Sequence, residues 1–473
     1  MLTLTKYEKL LAVMLLLTLP MVRPWVHGDG RGYYAFARAL LLQHNLDFSL
    51  DWYKGYETHP EFADPSFRQK YLTPNGHIDN HWTIGPAILW SPFLFSARLA
   101  AKLIDGFTGR HLAQDGFSLP YMLAIALGTF VYGSLALFLS MRFASKYIEG
   151  KWVFLATLGI WLATSFTFYF YFEPSFAHTV SAFLVAVFVY LWDRSREHRT
   201  ALQWLFLGVI AGLMLDTYYP NAILLLLPFS DSLAVFWKSV RARTYVPLAK
   251  VLALNLLFAA ALIIAFVPTL ITKKVLYGSL FYSGYKQSWY WNSPAFFKVC
   301  FSSHGLFSWT PILLPALLGL FLLRKSQRAL SFILMFTVFA FIYFIGCYQD
   351  WHAIPSFGNR FFISLSTIFI LGLAALLNEL SQLWKKRRIF LQVAAALSFF
   401  VFWNFGLMFQ FAAHLFPQTG DVSWTQVAYN QFAVMPVQAG RLLKSVVSNR
   451  SGLSVGGIQS QAPPSPPSTS VHQ

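Results

Sequence analysis

Charge is what this sequence has least of. Only 12% of its 473 residues are Asp, Glu, Lys or Arg, against 56% hydrophobic and 18% aromatic. So small a polar share cannot clothe the surface of a soluble protein, and the chain reads as an integral membrane protein. Cysteine is nearly absent: Cys300 and Cys347 make no disulfide framework, and free buried thiols are expected. No CxxC pair, no GxxxxGK loop and no HExxH helix occurs, which removes thiol-redox, P-loop and zincin chemistry. The histidines expected on the outer side (His59, His77, His81, His111, His178, His304 and His352) lack the helical spacing of a metal cage.

Apolar runs are what the sequence has in abundance, with a mean hydropathy of +0.51. A spanning helix needs roughly 20 mostly apolar residues, and about eleven such windows cover most of the chain. They are Leu10–Val26, Leu119–Met141, Trp152–Phe170, His178–Trp192, Leu202–Leu215, Asn221–Phe236, Val251–Ile271, Thr310–Leu323, Leu330–Ile345, Phe361–Leu376 and Ile389–Phe409. A bilayer offers backbone groups no partner outside a helix or a closed barrel, and these runs lack barrel alternation, so helices are expected throughout. The fold class is all-α integral membrane.

Orientation follows from the basic residues. With the N-terminus inside, Lys6, Lys9, Arg142, Lys146, Lys151, Arg194, Arg196, Arg199, Lys238, Arg241, Arg243, Lys250, Arg324, Lys325, Arg328 and the WKKRR run 384–388 all fall on the cytoplasmic side. The net charge of +17 is then a topology signal. Nucleic acid is excluded as a partner, because no basic patch is interleaved with base-reading chemistry. The first run is not a signal peptide, since no small-residue cleavage site follows it.

Outside the membrane the polar mass is uneven. The outer segment 28–118 is the longest, followed by 272–309 and 347–360. In the first, Gly32–Asn45 and Ile84–Ile104 read as helices lying at the membrane surface, the second interrupted by Pro86 and Pro92. Residues 1–412, outer loop 28–118 included, form the transmembrane module; 413–450 is a membrane-proximal segment, and 451–473 is a Gly/Ser/Pro/Gln-rich disordered tail.

The candidate chemistry collects on the outer side. HGDGRGYYAF (His27–Phe36) places Asp29 between glycines where the chain leaves the first span. A carboxylate there can serve as a base. Capping the next helix is the structural alternative, and local sequence does not choose between them. YFEPSFAHT (Tyr171–Thr179) wedges Glu173 and His178 between two very apolar runs, a costly placement for ionisable groups and one that points to function. Lys273, Lys274 and the tyrosines of 271–285 could meet an anionic substrate, as could Arg360 at the end of CYQDWHAIPSFGNR. For the lysines, snorkelling to lipid headgroups is the alternative.

In order along the chain, GDGRGYY, HWTIGPAILWSPF, FEPSFAHT and GNR resemble the GT-C superfamily of polytopic glycosyltransferases, in particular the bacterial relatives of protein O-mannosyltransferases and lipid A aminoarabinose transferases. The resemblance runs to about Phe409 and rests on the ordered combination, since each motif is short. It implies a polyprenyl-phosphate sugar donor, an acceptor that is a glycan, lipid or protein, inversion at the anomeric carbon, and a site on the periplasmic face of a bacterial inner membrane. Carried onto this chain, Asp29 is the base and Glu173 assists or positions it. Arg31, Tyr34, His81, His178, Lys274, Tyr282 and Arg360 are the candidate substrate-binding residues. No cofactor is assigned, and a divalent cation held by Asp29 and a lipid phosphate is left open. Asp29 is followed by Gly30 where family members often carry a second acid, and Tyr218 and Tyr219 stand where related sequences often carry an arginine. A transporter or flippase for a lipid-linked glycan is the alternative function; it would concentrate ionisable residues near the bilayer midplane.

Overall fold

Apolar sequence with few β-branched or turn-forming interruptions gives a chain that is helical almost throughout. Among the described residues, pairing between extended segments is limited to the isolated bridges Leu72–Ile78 and Trp289–Tyr348. The computed structural model describes residues 4–54, 61, 64–109, 112–244, 246–282, 284–383, 389–438, 440 and 441. The WKKRR run, His59, His111 and the tail 451–473 lie outside them.

The helices that build and orient the site are α1 (Lys6–Thr18), α2 (Asp29–Arg38), α3 (Gly85–Thr108), α4 (Leu119–Ser145), α5 (Ala177–Ser195), α6 (Ala201–Thr217), α7 (Val246–Tyr277), α8 (Arg328–Cys347), α9 (Ser366–Leu383) and α10 (Ile389–Ala412). Seven helical stretches are long and apolar enough to cross a membrane, or eight if Phe296–Trp309 and Leu313–Lys325, bent by 100°, count as one span. That is fewer than the sequence windows suggest, for local reasons. Of the first run only residues 10–18 belong to α1, a 13-residue helix, before Pro20 turns the chain into a 3-10 turn. The run 152–170 breaks after Leu162, where Thr164 bonds back to the Ile160 carbonyl. The run 178–192 is a 19-residue helix whose polar ends include His178, Asp193 and Arg194.

In the other direction, α3 is continuous for 24 residues and itself long and apolar enough to cross. Pro86 sits in the first turn, where a missing N–H costs nothing, and Pro92 is absorbed within the helix. Trp90 donates to Thr129 and Tyr132 donates to the Leu89 carbonyl, so α3 lies against the first half of α4, away from Arg142.

Two ends of the bundle are chemically distinct. At one, Arg142 pairs with Glu8, Lys146 with Asp193, and Lys325 with Glu379. At the other, His178 opens α5, fifteen positions and, at 1.5 Å per residue, about 22 Å from Asp193. Within the bundle Trp152, Trp161, Trp192 and Tyr169 are fully buried. Helices α6 and α7 pack backbone to backbone, because Gly208 and Gly212 present no Cβ to the Phe258 and Leu262 carbonyls. Both cysteines are free and buried.

Candidate functional site

Asp29 is the first residue of α2, after Gly28 at φ +54°. Its carboxylate does not cap the helix. Instead Oδ2 accepts from Nη2 of Arg360 at 2.6 Å. The helix start is fixed by close approach: a Cβ on Gly30 would stand 2.0 Å from Ser175 Oγ, and one on Gly32 2.0 Å from the Trp82 ring. Asn80 Nδ2 also donates to the Gly32 carbonyl. The glycines of HGDGRG therefore dock α2 onto the segments that carry Ser175 and Trp82.

Arg360 begins a 3-10 turn, Arg360–Leu365. Its Nη1 donates to the Ala353 carbonyl at 2.8 Å and to Ser356 Oγ, which aims the guanidinium across to Asp29. The side chain is 12% exposed, against 34% for Asp29. An ion pair this sheltered is screened far less than a surface pair.

Asp29, His81, His178 and Arg360 line one hollow of about 280 Å³, with Tyr33, Tyr218, Tyr285, Gln287, Tyr348 and Asp350. Burial pushes the Tyr33 and Tyr285 phenols well up, with neighbouring anionic groups adding to it, and burial with Asp350 carries Tyr348 to about 12. All three offer neutral hydroxyls near pH 7. His81 is stacked on Trp82 at 3.9 Å, and burial lowers its pKa although Asp79 and Asp29 oppose this, so it too is neutral there. His178 is ringed by Tyr169, Phe176, Tyr218 and Phe361.

A second hollow, of about 460 Å³, adjoins the first across His81, Trp82, Tyr285 and Gln287; Arg31, Trp52, Asp79 and Lys286 are on its walls. Asp79 accepts from Tyr277 and lies 3.6 Å from Lys286.

The other sequence candidates lie elsewhere. Glu173 is outside the first hollow; its Oε1 meets His27 Nε2 at 2.7 Å, next to the docked start of α2. Tyr34 is buried with its hydroxyl on the Gly116 carbonyl at 2.6 Å, because it faces the core between α2 and the segment that carries Gly116. Lys274 is exposed and donates to the Gly278 carbonyl, and Tyr282 stands exposed against Tyr277; neither lines these hollows. The helical turn at the end of α7 points the neighbouring Lys273 inward instead, where its ammonium donates to the His81 carbonyl at 2.9 Å and holds that loop.

Sequence reasoning missed Tyr33, Gln287, Tyr348 and Asp350. Tyr33 was findable: at i+4 from Asp29 it shares a helical face with it. The others come from loops, where no period marks which side chain turns inward. Among the described residues no group of three or more His, Cys, Asp or Glu could hold a metal ion.

The solved structures that align with the chain include the following two. One is ArnT from Cupriavidus metallidurans bound to undecaprenyl phosphate, at 13% identity and a TM-score of 0.49, over 86% of this chain and 69% of that one. The other is the Archaeoglobus fulgidus oligosaccharyltransferase in the apo form, at 13% identity and a TM-score of 0.44, over 94% of this chain and 56% of that one. No protein-family model matches the chain, and no curated protein matches it. Neither likeness bears on the chemistry of the hollow, which rests on this chain's own residues.

Proposed function

We propose that the chain is an inverting glycosyltransferase that moves a sugar from a polyprenyl-phosphate donor to an acceptor hydroxyl or similar nucleophile on the extracytoplasmic face of the membrane. The observation that carries this reading is the Asp29–Arg360 pair inside a hollow at the bundle end opposite the basic ion pairs. By the positive-inside rule the basic end is cytoplasmic, with the N-terminus there, as in a multi-pass protein of a bacterial inner membrane.

The reaction divides between the two side chains. An acceptor oxygen attacks the anomeric carbon as its proton passes to the Asp29 carboxylate. The bond from that carbon to the phosphate oxygen breaks, and its electron pair stays on the phosphate. Arg360 meets the charge that develops there, in a sheltered site where a fixed cation acts most strongly. His81 and His178, both lining the hollow, contact the sugar or phosphate, and Arg31 reaches the acceptor from the second hollow. Glu173, through His27, positions the start of α2 rather than touching substrate.

Reconstitution tests the reading. Protein in vesicles given a labelled polyprenyl-phosphate sugar and envelope extract is expected to form a new glycosidic bond and release polyprenyl phosphate. Label crossing the membrane with no new bond would instead establish a transporter.

A further inference from the structure

The first hollow is poor in positive charge for a site that takes a phosphate. Of its wall residues only Arg360 is permanently cationic, and it shares the wall with the acids Asp29 and Asp350. Much of that guanidinium is already committed: Nη1 to Ala353 and Ser356, Nη2 to Asp29. One group is left over, since Arg360 Nε is buried without a hydrogen-bond partner. The Tyr218 hydroxyl is also buried without a partner.

The two unpaired groups are held by the same ring. Tyr218 lies nearly parallel to Phe361, with centroids 6.4 Å apart at 19°, and Arg360 Cζ stands 5.5 Å from the Phe361 centroid. Tyr218 is placed there by the break between α6 and the 3-10 turn Tyr219–Leu225, where Pro220 stops α6 from continuing. A buried donor left unpaired costs free energy, so two at one wall mark a place shaped for something that accepts from both. Both can donate, N–H from one and O–H from the other. A phosphate oxygen, which only accepts, fits the pair.

We propose that Tyr218 is a phosphate-binding residue, its hydroxyl and Arg360 Nε together seating the phosphate of the lipid-borne substrate. This rests on the reading that the hollow takes a polyprenyl phosphate. Tyr218 does for the phosphate what a second cation would otherwise do, without adding charge beside Asp29. As the sugar departs and the phosphate gains negative charge, the O–H donation strengthens and no proton is transferred.

The test uses the full chain in nanodiscs and measures binding of undecaprenyl phosphate, undecaprenol and inorganic phosphate. Tyr218→Phe is expected to weaken undecaprenyl phosphate about tenfold and leave undecaprenol unchanged. The ligand-free melting temperature should not fall, because the lost hydroxyl had no partner; a residue with only a structural role would lower it. Arg360→Lys combined with Tyr218→Phe should lose less than the product of the single effects, since both groups serve one phosphate. Inorganic phosphate should bind at least a hundredfold more weakly than the lipid; equal affinity would overturn the lipid-borne assignment. Unchanged undecaprenyl phosphate binding in Tyr218→Phe overturns the role of Tyr218 and leaves the glycosyltransferase reading standing. A Tyr218-dependent affinity with no sugar transfer from any lipid-linked sugar overturns that reading and leaves the seat. No undecaprenyl phosphate binding by the wild type overturns both.

Discussion

Asp29 and Arg360 stand 331 positions apart in sequence and meet at 2.6 Å, Oδ2 to Nη2. The contact joins α2 to the 3-10 turn that precedes α9, and both residues line the same hollow. On the proposed reading the phosphate takes the spare Nε of Arg360 while Nη2 keeps its hold on Asp29.

Arg360→Lys keeps the charge and removes the planar fork that reaches Ala353, Ser356 and Asp29 together. A point charge cannot satisfy that geometry. Binding of undecaprenyl phosphate, measured in nanodiscs, is expected to weaken about 10- to 100-fold, which corresponds to ~1.4–2.8 kcal/mol.

The glycines of HGDGRG offer a stability test independent of chemistry. Gly32→Ala forces a methyl into the Trp82 ring, at 2.0 Å before any shift. A loss of about 1–3 kcal/mol is expected, the usual range for overpacking. Gly106→Ala in α3 meets nothing within 4 Å and should be neutral or slightly stabilising. Thermal unfolding in one detergent compares the two, and equal melting temperatures would contradict the docking of α2 on Trp82.

Asp51, on the short helix Ser49–Lys54, is buried against Arg38, with Nε–Oδ1 and Nη2–Oδ2 both at 2.5 Å. Burial carries its carboxyl up to about 6, against the pull of Arg38. The folded state therefore holds this proton more tightly than the unfolded chain, in which the group titrates near ~3.9. Its stabilising contribution is full below about pH 4 and is lost as pH rises through about 6. Asp51→Asn should remove that slope from unfolding midpoints recorded between pH 4.5 and 7.

Much of this architecture is written in the sequence, and the site only partly so. The apolar runs fix the helical class, and the basic residues separate the two ends. Span number is less legible: Pro20, the Thr164–Ser165 break and the bend after Trp309 are local backbone events that hydropathy averages away. Asp29, His178 and Arg360 stand out because each is polar at the edge of an apolar run. Lys274 drew attention for the same reason, but facing decides between adjacent lysines, and only the helix phase of α7 turns Lys273 inward. Glu173 was legible as an acid near Asp29, while its partner His27 depends on how the two loops fold together.

The central claim is that Asp29 takes the acceptor proton in a hollow that holds a lipid-linked sugar. Single-turnover transfer from a labelled polyprenyl-phosphate sugar, compared between wild type and Asp29→Asn in nanodiscs, addresses it most directly. Loss of the base should slow transfer by about 10²- to 10⁴-fold while undecaprenyl phosphate still binds and the protein stays folded. Transfer by Asp29→Asn at the wild-type rate would contradict it.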